Sequence, residues 1–536
     1  MKSFSSRSLA RVFVGPYLLP AAVLGALATF CLAKAVSLGV CCADDAYFAS
    51  VAKNLAFGLG YGTTATGDGF VLFDMGITTG PAVILPAAGA IALFGHRPWV
   101  PGAVAVALWC TLATLVFRAA RKAATDVSPG GLRDASLLFL LGIPLLFPFH
   151  FETWSNLLGE APAALFLLLG FALLAAEELS IRTVCLASLA CSLAVLSKIV
   201  TLPGYVALVV GLAVRLAIVE RRGIRVTATH LLASGLAFIG PLLLFEAAKV
   251  VSFGNLRLYG EHVARKLSFI GGQGLPSIAR PGLLSRMVTH DGDVAGRFGL
   301  SVIQSLIGVA CAFAVILRSG RQSLVRMAIP IVLTVAMTAG WFLFLSNGWP
   351  RYYLIAMILV GGLVAVAVAS MESRTRLPAA LAVLAILLSV NHGKLPYLAH
   401  GMENGWFRPS DELESAMAVT NMIDEALDDP EEGPVFVTQW WGATVDIEYY
   451  SRHANIFESH TRLGDRDAFT VVYNRRFAAL QDEGFQRVLG ACRSHGDDSA
   501  SHVVMHSKAG DLPDSRVRMA ERPAVSSGKI PASRRR

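Results

Sequence analysis

The chain has 536 residues, of which 54% are hydrophobic and 16% charged, with a formal net charge of +8. Ordinary soluble chains carry about 25% charged residues. A mean hydropathy of +0.57 means more apolar surface than a water-soluble fold of this length can bury, so the bilayer is the solvent for most of the chain. The basic excess does not point to nucleic acid, because Lys and Arg stand in short clusters between apolar stretches, as loops beside a membrane require.

In chain order, the first apolar segment, about 12–33, is longer than a signal-peptide core and reads as an uncleaved anchor. "LGVCC" is a poor lipoprotein cleavage site, because Val40 stands where Gly or Ala is wanted. Of the eight cysteines, Cys31, Cys110, Cys185, Cys191 and Cys311 lie inside apolar segments and read as small core residues. Further apolar segments follow at 79–95, 99–117, 135–149, 160–176, 183–197, 200–219, 228–248, 298–317, 327–346, 351–371 and 377–391. If every one crossed, the cluster Arg118, Arg121, Lys122 and Arg133 would fall outside the cell. Segment 79–95 is the weakest, being short, glycine-rich and interrupted by Pro81 and Pro86. Placed as an interfacial or re-entrant helix in the first outer loop, it returns nearly all basic clusters to the inner face. The expected fold is an all-α polytopic membrane protein with about eleven transmembrane helices. Its N-terminus is expected to be cytoplasmic and its C-terminus outside.

Three outer pieces remain: about 34–98, about 251–297, and everything after about 391. The last turns polar after "HGKLPYLAHGMENGW". There "GPVFVTQWWGATVDIEYYS" reads as a strand over Val435–Thr438, a turn at Trp440-Trp441-Gly442 and a helix start, and "SHVVMHS" reads as a second strand. The predicted division is a membrane domain over 1–391, a small extracytoplasmic α/β domain over 392–510, and a disordered basic tail over 511–536.

The most pointed local feature is "CCADDAYFASVAKNLAFGLGYG", in which Asp44 and Asp45 stand at the outer mouth of the first span, ahead of an amphipathic helix. On its own, an acid pair there is equally a solvated helix N-terminus. Together with "FDMGITTGPAVILPAAGAIALFG", however, the stretch resembles the signature of GT-C membrane glycosyltransferases, among them protein O-mannosyltransferases, aminoarabinose transferases and Rgt-like bacterial sugar transferases. The likeness is specific over about residues 40–95; beyond that it is one of topology. It implies that Asp44 is the catalytic base, with Asp45 beside it, and that the donor is a sugar on a polyprenyl phosphate. Such a leaving group needs cations around its growing charge rather than a proton donor. The carboxylate pair can also share a divalent ion, so a metal stays open and no other cofactor is expected.

For the phosphate side, "SNGWPRYYL" puts Arg351 at the outer end of a span beside Tyr352, and Lys198 ends another; both stand on the side where positive charge is scarce. The bland reading of each is a cation reaching for lipid headgroups. In "PFHFETWSNLLGEAP", Glu152 and Glu160 are candidates for a second functional acid, although Glu160 also suits a helix N-terminus. His150 has no second ligand at metal spacing. Glu246 and Lys249, about one turn apart, are expected to pair. Arg257, Arg265, Lys266 and Arg280 make the second outer loop basic, fit either to close over a lipid-linked sugar or to be an ordinary loop.

The function read from all this is an inverting transfer of a sugar from a polyprenyl-phosphate donor to a glycan, lipid or protein acceptor, at the outer face of a bacterial inner membrane, with membrane lipid and no nucleic acid as partners. The alternatives are a secondary transporter or lipid-linked-sugar flippase, and a non-catalytic scaffold. Transporters usually carry internal repeats and ionisable groups near the midplane. This sequence has no evident repeat, and its acids cluster at one face.

Overall fold

In hydrocarbon every backbone N–H and C=O must bond within its own segment, so apolar runs of this length become helices. A computed structural model describes residues 18–40, 43–64, 70–124, 127, 129–145, 154–274, 294–344 and 351–390; beyond 406 it describes 407–409, 413–414, 417, 420–421, 424, 435–437, 447–452, 456–458, 469–474, 493–495 and 502–507. Cys41, Cys42, His150, Glu152, Arg280, the Trp440-Trp441 turn and the tail 511–536 lie outside these residues, and Arg351 is described as backbone only.

The described helices are α1 Leu18–Leu38, α2 Ala43–Ala56, α3 Pro81–Phe94, α4 Val100–Ala123, α5 Pro129–Leu145, α6 Glu160–Leu174, α7 Ile181–Ser197, α8 Leu202–Val214, α9 Ile224–Phe253, α10 Leu256–Gly274, α11 Val294–Arg318, α12 Gln322–Phe344, α13 Arg351–Ser370 and α14 Ser373–Val390. Every apolar segment picked out above overlaps one of them. Among the described residues, six stretches are long and apolar enough to cross a membrane: Leu18–Leu38, Val100–Ala123, Ile199–Val219, Ile224–Phe253, Gln322–Leu343 and Tyr352–Ser370. Shorter apolar helices include α3, α6 and α7. The protein is thus a multi-pass membrane protein.

α6 is the hub. It is apolar all round and buried along its whole length apart from Leu169 and Leu173, the expected state of a helix with no polar face. It packs against α4, α7 and α13. Small residues set the closest crossings: a Cβ on Gly362 of α13 would lie 2.8 Å from Leu168 of α6, as helix contacts in lipid favour. By contrast α9 leaves Leu232, Leu236, Leu244 and Val251 at 64–80% exposure. Only acyl chains would cover so large an apolar face. At 30 residues, α9 spans about 45 Å, longer than the roughly 30 Å of a hydrocarbon core.

Part of the expected loop over 251–297 is helical. After Gly254 turns the chain at φ 63°, α10 folds as a 19-residue helix. Apolar and charged residues mix at helical spacing there, and that periodicity was hidden by the density of charge.

Contacts divide the chain into two units, residues 1–63 with 72–414, and residues 64–71 with 415–536. After the two-residue strands β1 Gly62–Thr63 and β2 Val71–Leu72, strands β3 Val435–Val437, β4 Ile456–Glu458, β5 Phe469–Asn474, β6 Arg493–His495 and β7 His502–Ser507 of the second unit form a mixed sheet of order β4-β3-β5-β7-β6. β3 runs parallel to β4 and β5, and β7 antiparallel to β5 and β6. Two of these strands, β3 and β7, fall within the stretches 435–438 and 501–507 read above as strands. Glu448, fully buried, accepts hydrogen bonds from the Thr64 N–H (3.0 Å) and hydroxyl (3.2 Å).

Candidate functional site

Four short stretches of the first unit converge: the start of α2, the Thr78-Thr79-Gly80 run before α3, the turn 154–160 that opens α6, and the end of α7 at Lys198. Gly39, at φ 64°, turns the chain out of α1, and α2 then starts with Asp44 and Asp45 in its first turn. There the helix dipole favours negative charge. Asp44 is half-buried and Asp45 is 2% exposed. The Asp45 carboxylate accepts the Leu157 N–H at 2.6 Å, which ties α2 to the 154–160 turn. The two acids are therefore not equivalent, Asp45 being engaged by backbone and Asp44 the more open to solvent.

Lys198 and Glu160, both candidates for contact with substrate, are given to each other. The Lys198 ammonium lies 3.1 Å from Glu160 Oε1, with side-chain exposures of 2% and 1%. Its remaining donors reach the Leu158 carbonyl at 2.9 Å and the hydroxyls of Thr78 and Thr79, each at 3.3 Å, and it stands 5.3 Å from the Phe48 ring centroid. The ammonium is thus committed to four oxygens. A buried pair of this kind is costly to break, since the partner left behind is an uncompensated charge.

Backbone packing explains why glycines flank this point. Gly80 donates its N–H to the Ser197 carbonyl at 3.0 Å, and Thr79 and Lys198 form an isolated antiparallel bridge. A Cβ on Gly80 would sit 1.9 Å from the Leu196 carbonyl oxygen. Gly159 caps α6 at φ 82°, and a Cβ there would come within 2.8 Å of Ser197 O. The Thr79 hydroxyl donates to Leu158 O at 2.8 Å, and the Tyr61 hydroxyl to Thr79 O at 3.3 Å. Nearby, Asp74 accepts from the Tyr47 hydroxyl at 2.5 Å and from the Gly76 N–H at 2.8 Å, which holds the loop before α3 against α2.

The same contacts fix the start of α3. Its N-terminus lies at Lys198. In α4, which follows it, a Cβ on Gly102 would lie 2.9 Å from Ser155 O. At 14 residues α3 rises about 21 Å, short of a hydrocarbon core.

Of the other predicted site residues, Arg351 opens α13, and Tyr352 packs its ring 5.8 Å from Trp341 of α12. Nothing local in the chain pointed to the Thr78, Thr79 and Leu158 contacts to Lys198, or to the Tyr47–Asp74 bond. The Thr-Thr-Gly-Pro run was visible as a helix start, but partners 119 residues away leave no local trace. Among the described residues, no group of three or more His, Cys, Asp or Glu side chains is placed to hold a metal.

The acid-bearing helix α2, the short helix α3 and the bundle they pack on have a counterpart among solved structures. The crystal structure of ArnT from Cupriavidus metallidurans bound to undecaprenyl phosphate is similar to this chain, with a TM-score of 0.55 and 14% identity over 95% of this chain and 100% of that one. The apo state of ArnT gives the same score at 15% identity. The archaeal oligosaccharyltransferase AglB from Archaeoglobus fulgidus, in complex with an inhibitory peptide and a dolichol-phosphate, scores 0.44 at 12% identity over 92% of this chain and 75% of that chain, too low to carry weight. No family model matches the sequence, and no curated protein is significantly similar to it. At these identities the likeness to ArnT is one of fold.

Proposed function

We propose that the protein is a GT-C-type glycosyltransferase that moves a sugar from a polyprenyl phosphate to an acceptor at the outer face of a bacterial inner membrane. The observation that carries this is the unequal acid pair: Asp45 is held by the Leu157 N–H at 2.6 Å, while Asp44 beside it is more open, within the fold that ArnT shares. Asp44 takes the proton of the acceptor hydroxyl as its oxygen attacks the sugar carbon. The bond from that carbon to the phosphate oxygen breaks, its electron pair stays on the phosphate, and the single displacement inverts the centre. Asp45 and the Lys198–Glu160 pair position α2 against the turn beneath it. Arg351, with Tyr352, offers a planar fork to the phosphate. Eleven helices cross in this reading, with the N-terminus inside and residues 392–510 forming an outer domain that meets the acceptor.

The test is transfer from undecaprenyl-phosphate sugars to membrane acceptors by purified protein, with Asp44→Asn as the key variant. Loss of a positioned base costs roughly 100-fold or more. A variant that inserts normally and keeps more than about a tenth of the wild-type rate removes Asp44 from the chemistry.

A further inference from the structure

The corner between α9 and α10 holds charge that the steps above do not use. Tyr259 of α10 donates its hydroxyl to Glu246 of α9 at 2.9 Å, and Lys249 lies 2.6 Å from the same carboxylate, above the Phe245 ring at 4.5 Å. His262 is 4% exposed, with its ring 5.1 Å from Phe253 and 6.4 Å from Phe73. Its Nε2 has no hydrogen-bond partner among the described residues. Lys266, one helical turn on and so on the same face, reaches the Ile77 carbonyl only at 3.5 Å, next to the threonines that hold Lys198.

The charges here do not balance. Glu246 is already shared by Lys249 and Tyr259, and Asp74, on the loop facing α10, by Tyr47 and the Gly76 N–H. Burial first, then the charges of Lys249, Lys266 and Arg265, hold His262 below the ordinary histidine range, with Glu246 opposing. Burial and then Lys249 likewise lower Lys266, against Glu246 and Asp74. A cluster that pushes its own members toward neutrality is relieved by an anion. Val251, Leu256 and Leu267 around the corner are 65–80% exposed, so the anion that suits this place is carried on a lipid.

We propose that Lys249, His262 and Lys266 form a phosphate site for a lipid headgroup, in which protonated His262 prefers the monoester left after sugar transfer to the sugar-bearing diester. This rests on the lipid-phosphate reading above. When the sugar–oxygen bond breaks, the phosphate passes from one negative charge to two, the acceptor's proton goes to Asp44, and His262 takes its own proton from solvent as the dianion settles. Binding the dianion raises the His262 pKa from its low value, so affinity is gained as pH falls through that interval.

The experiment titrates the full chain, in nanodiscs of zwitterionic lipid, with undecaprenyl phosphate between about pH 8 and about pH 6.5. Wild-type affinity is expected to rise as pH falls. His262→Gln and Lys266→Ala are expected to weaken binding about tenfold or more, His262→Gln with a flattened pH profile, and Lys266→Arg to recover most of the loss. Inorganic phosphate and phosphatidylglycerol are expected to compete poorly. The proposal is overturned if the variants bind like the wild type, if inorganic phosphate displaces the lipid efficiently, which makes this a soluble-anion site, or if phosphatidylglycerol competes equally, which makes it a general lipid contact. A wild-type protein that binds no undecaprenyl phosphate at any pH takes down the donor reading itself, an outcome distinct from wild-type binding that the variants leave unchanged.

Discussion

Lys198 and Glu160 each look like a candidate substrate ligand in the sequence, yet they face one another at 3.1 Å in near-complete burial. Coupling of this kind predicts non-additive mutations. Lys198→Met alone leaves a buried carboxylate uncompensated and is expected to cost about 3 kcal/mol or more, whereas Lys198→Met with Glu160→Leu should recover most of that. Unfolding of the purified variants in detergent measures both, and a double variant no more stable than the single would remove the pair from the packing of this region. Arg351 carries a different expectation. Arg351→Ala should raise the donor KM, and Arg351→Lys should restore it only in part, since an ammonium lacks the two-pronged geometry of a guanidinium. Equal donor dependence in all three proteins would leave Arg351 as an interfacial anchor.

The start of α3 is held by backbone rather than by side chains. Gly80 bonds Ser197 O, and any Cβ there meets Leu196 O at 1.9 Å. Gly80→Ala must therefore separate α3 from the end of α7 and disturb Thr79 and Lys198 together. We expect loss of transfer and a lower unfolding temperature. In the same helix Gly89 has nothing within 4 Å of its Cβ position, so Gly89→Ala should match the wild type and gain slightly from helix propensity. If both substitutions behave alike, the close approach at Gly80 is not what seats α3. The amphipathic helix α10 shows the converse: local charge density made it read as a loop, although its residues repeat at helical spacing.

For the whole molecule, the placement of every outer residue depends on α3 not traversing the bilayer. Basic residues counted over short loops required this. The Asp45–Leu157 bond agrees, because a traversing α3 would put those two residues on opposite sides of the membrane. On a background without native cysteines, Ser252→Cys should label with an impermeant thiol reagent in intact cells, while Glu178→Cys and Ser373→Cys should not. Labelling of Glu178→Cys from outside would reverse the orientation of the helices after α3 and separate Asp44 from Lys198.

Composition and periodicity alone determined that the chain is helical and membrane-embedded. They also located each apolar segment and set apart 79–95, because hydrocarbon admits few structures and the signals for them are local. The Asp44-Asp45 pair and the Thr-Thr-Gly-Pro run were equally legible, as contiguous residues at a helix start. Only the tertiary structure decided that Asp45 takes the Leu157 N–H, that Lys198 belongs to Glu160 and the threonines, and that His262 stands beside Lys249 and Lys266. Those pairings join residues far apart in the chain or across a helix corner, and packing alone selects among the many partners that such ionisable groups have in the sequence.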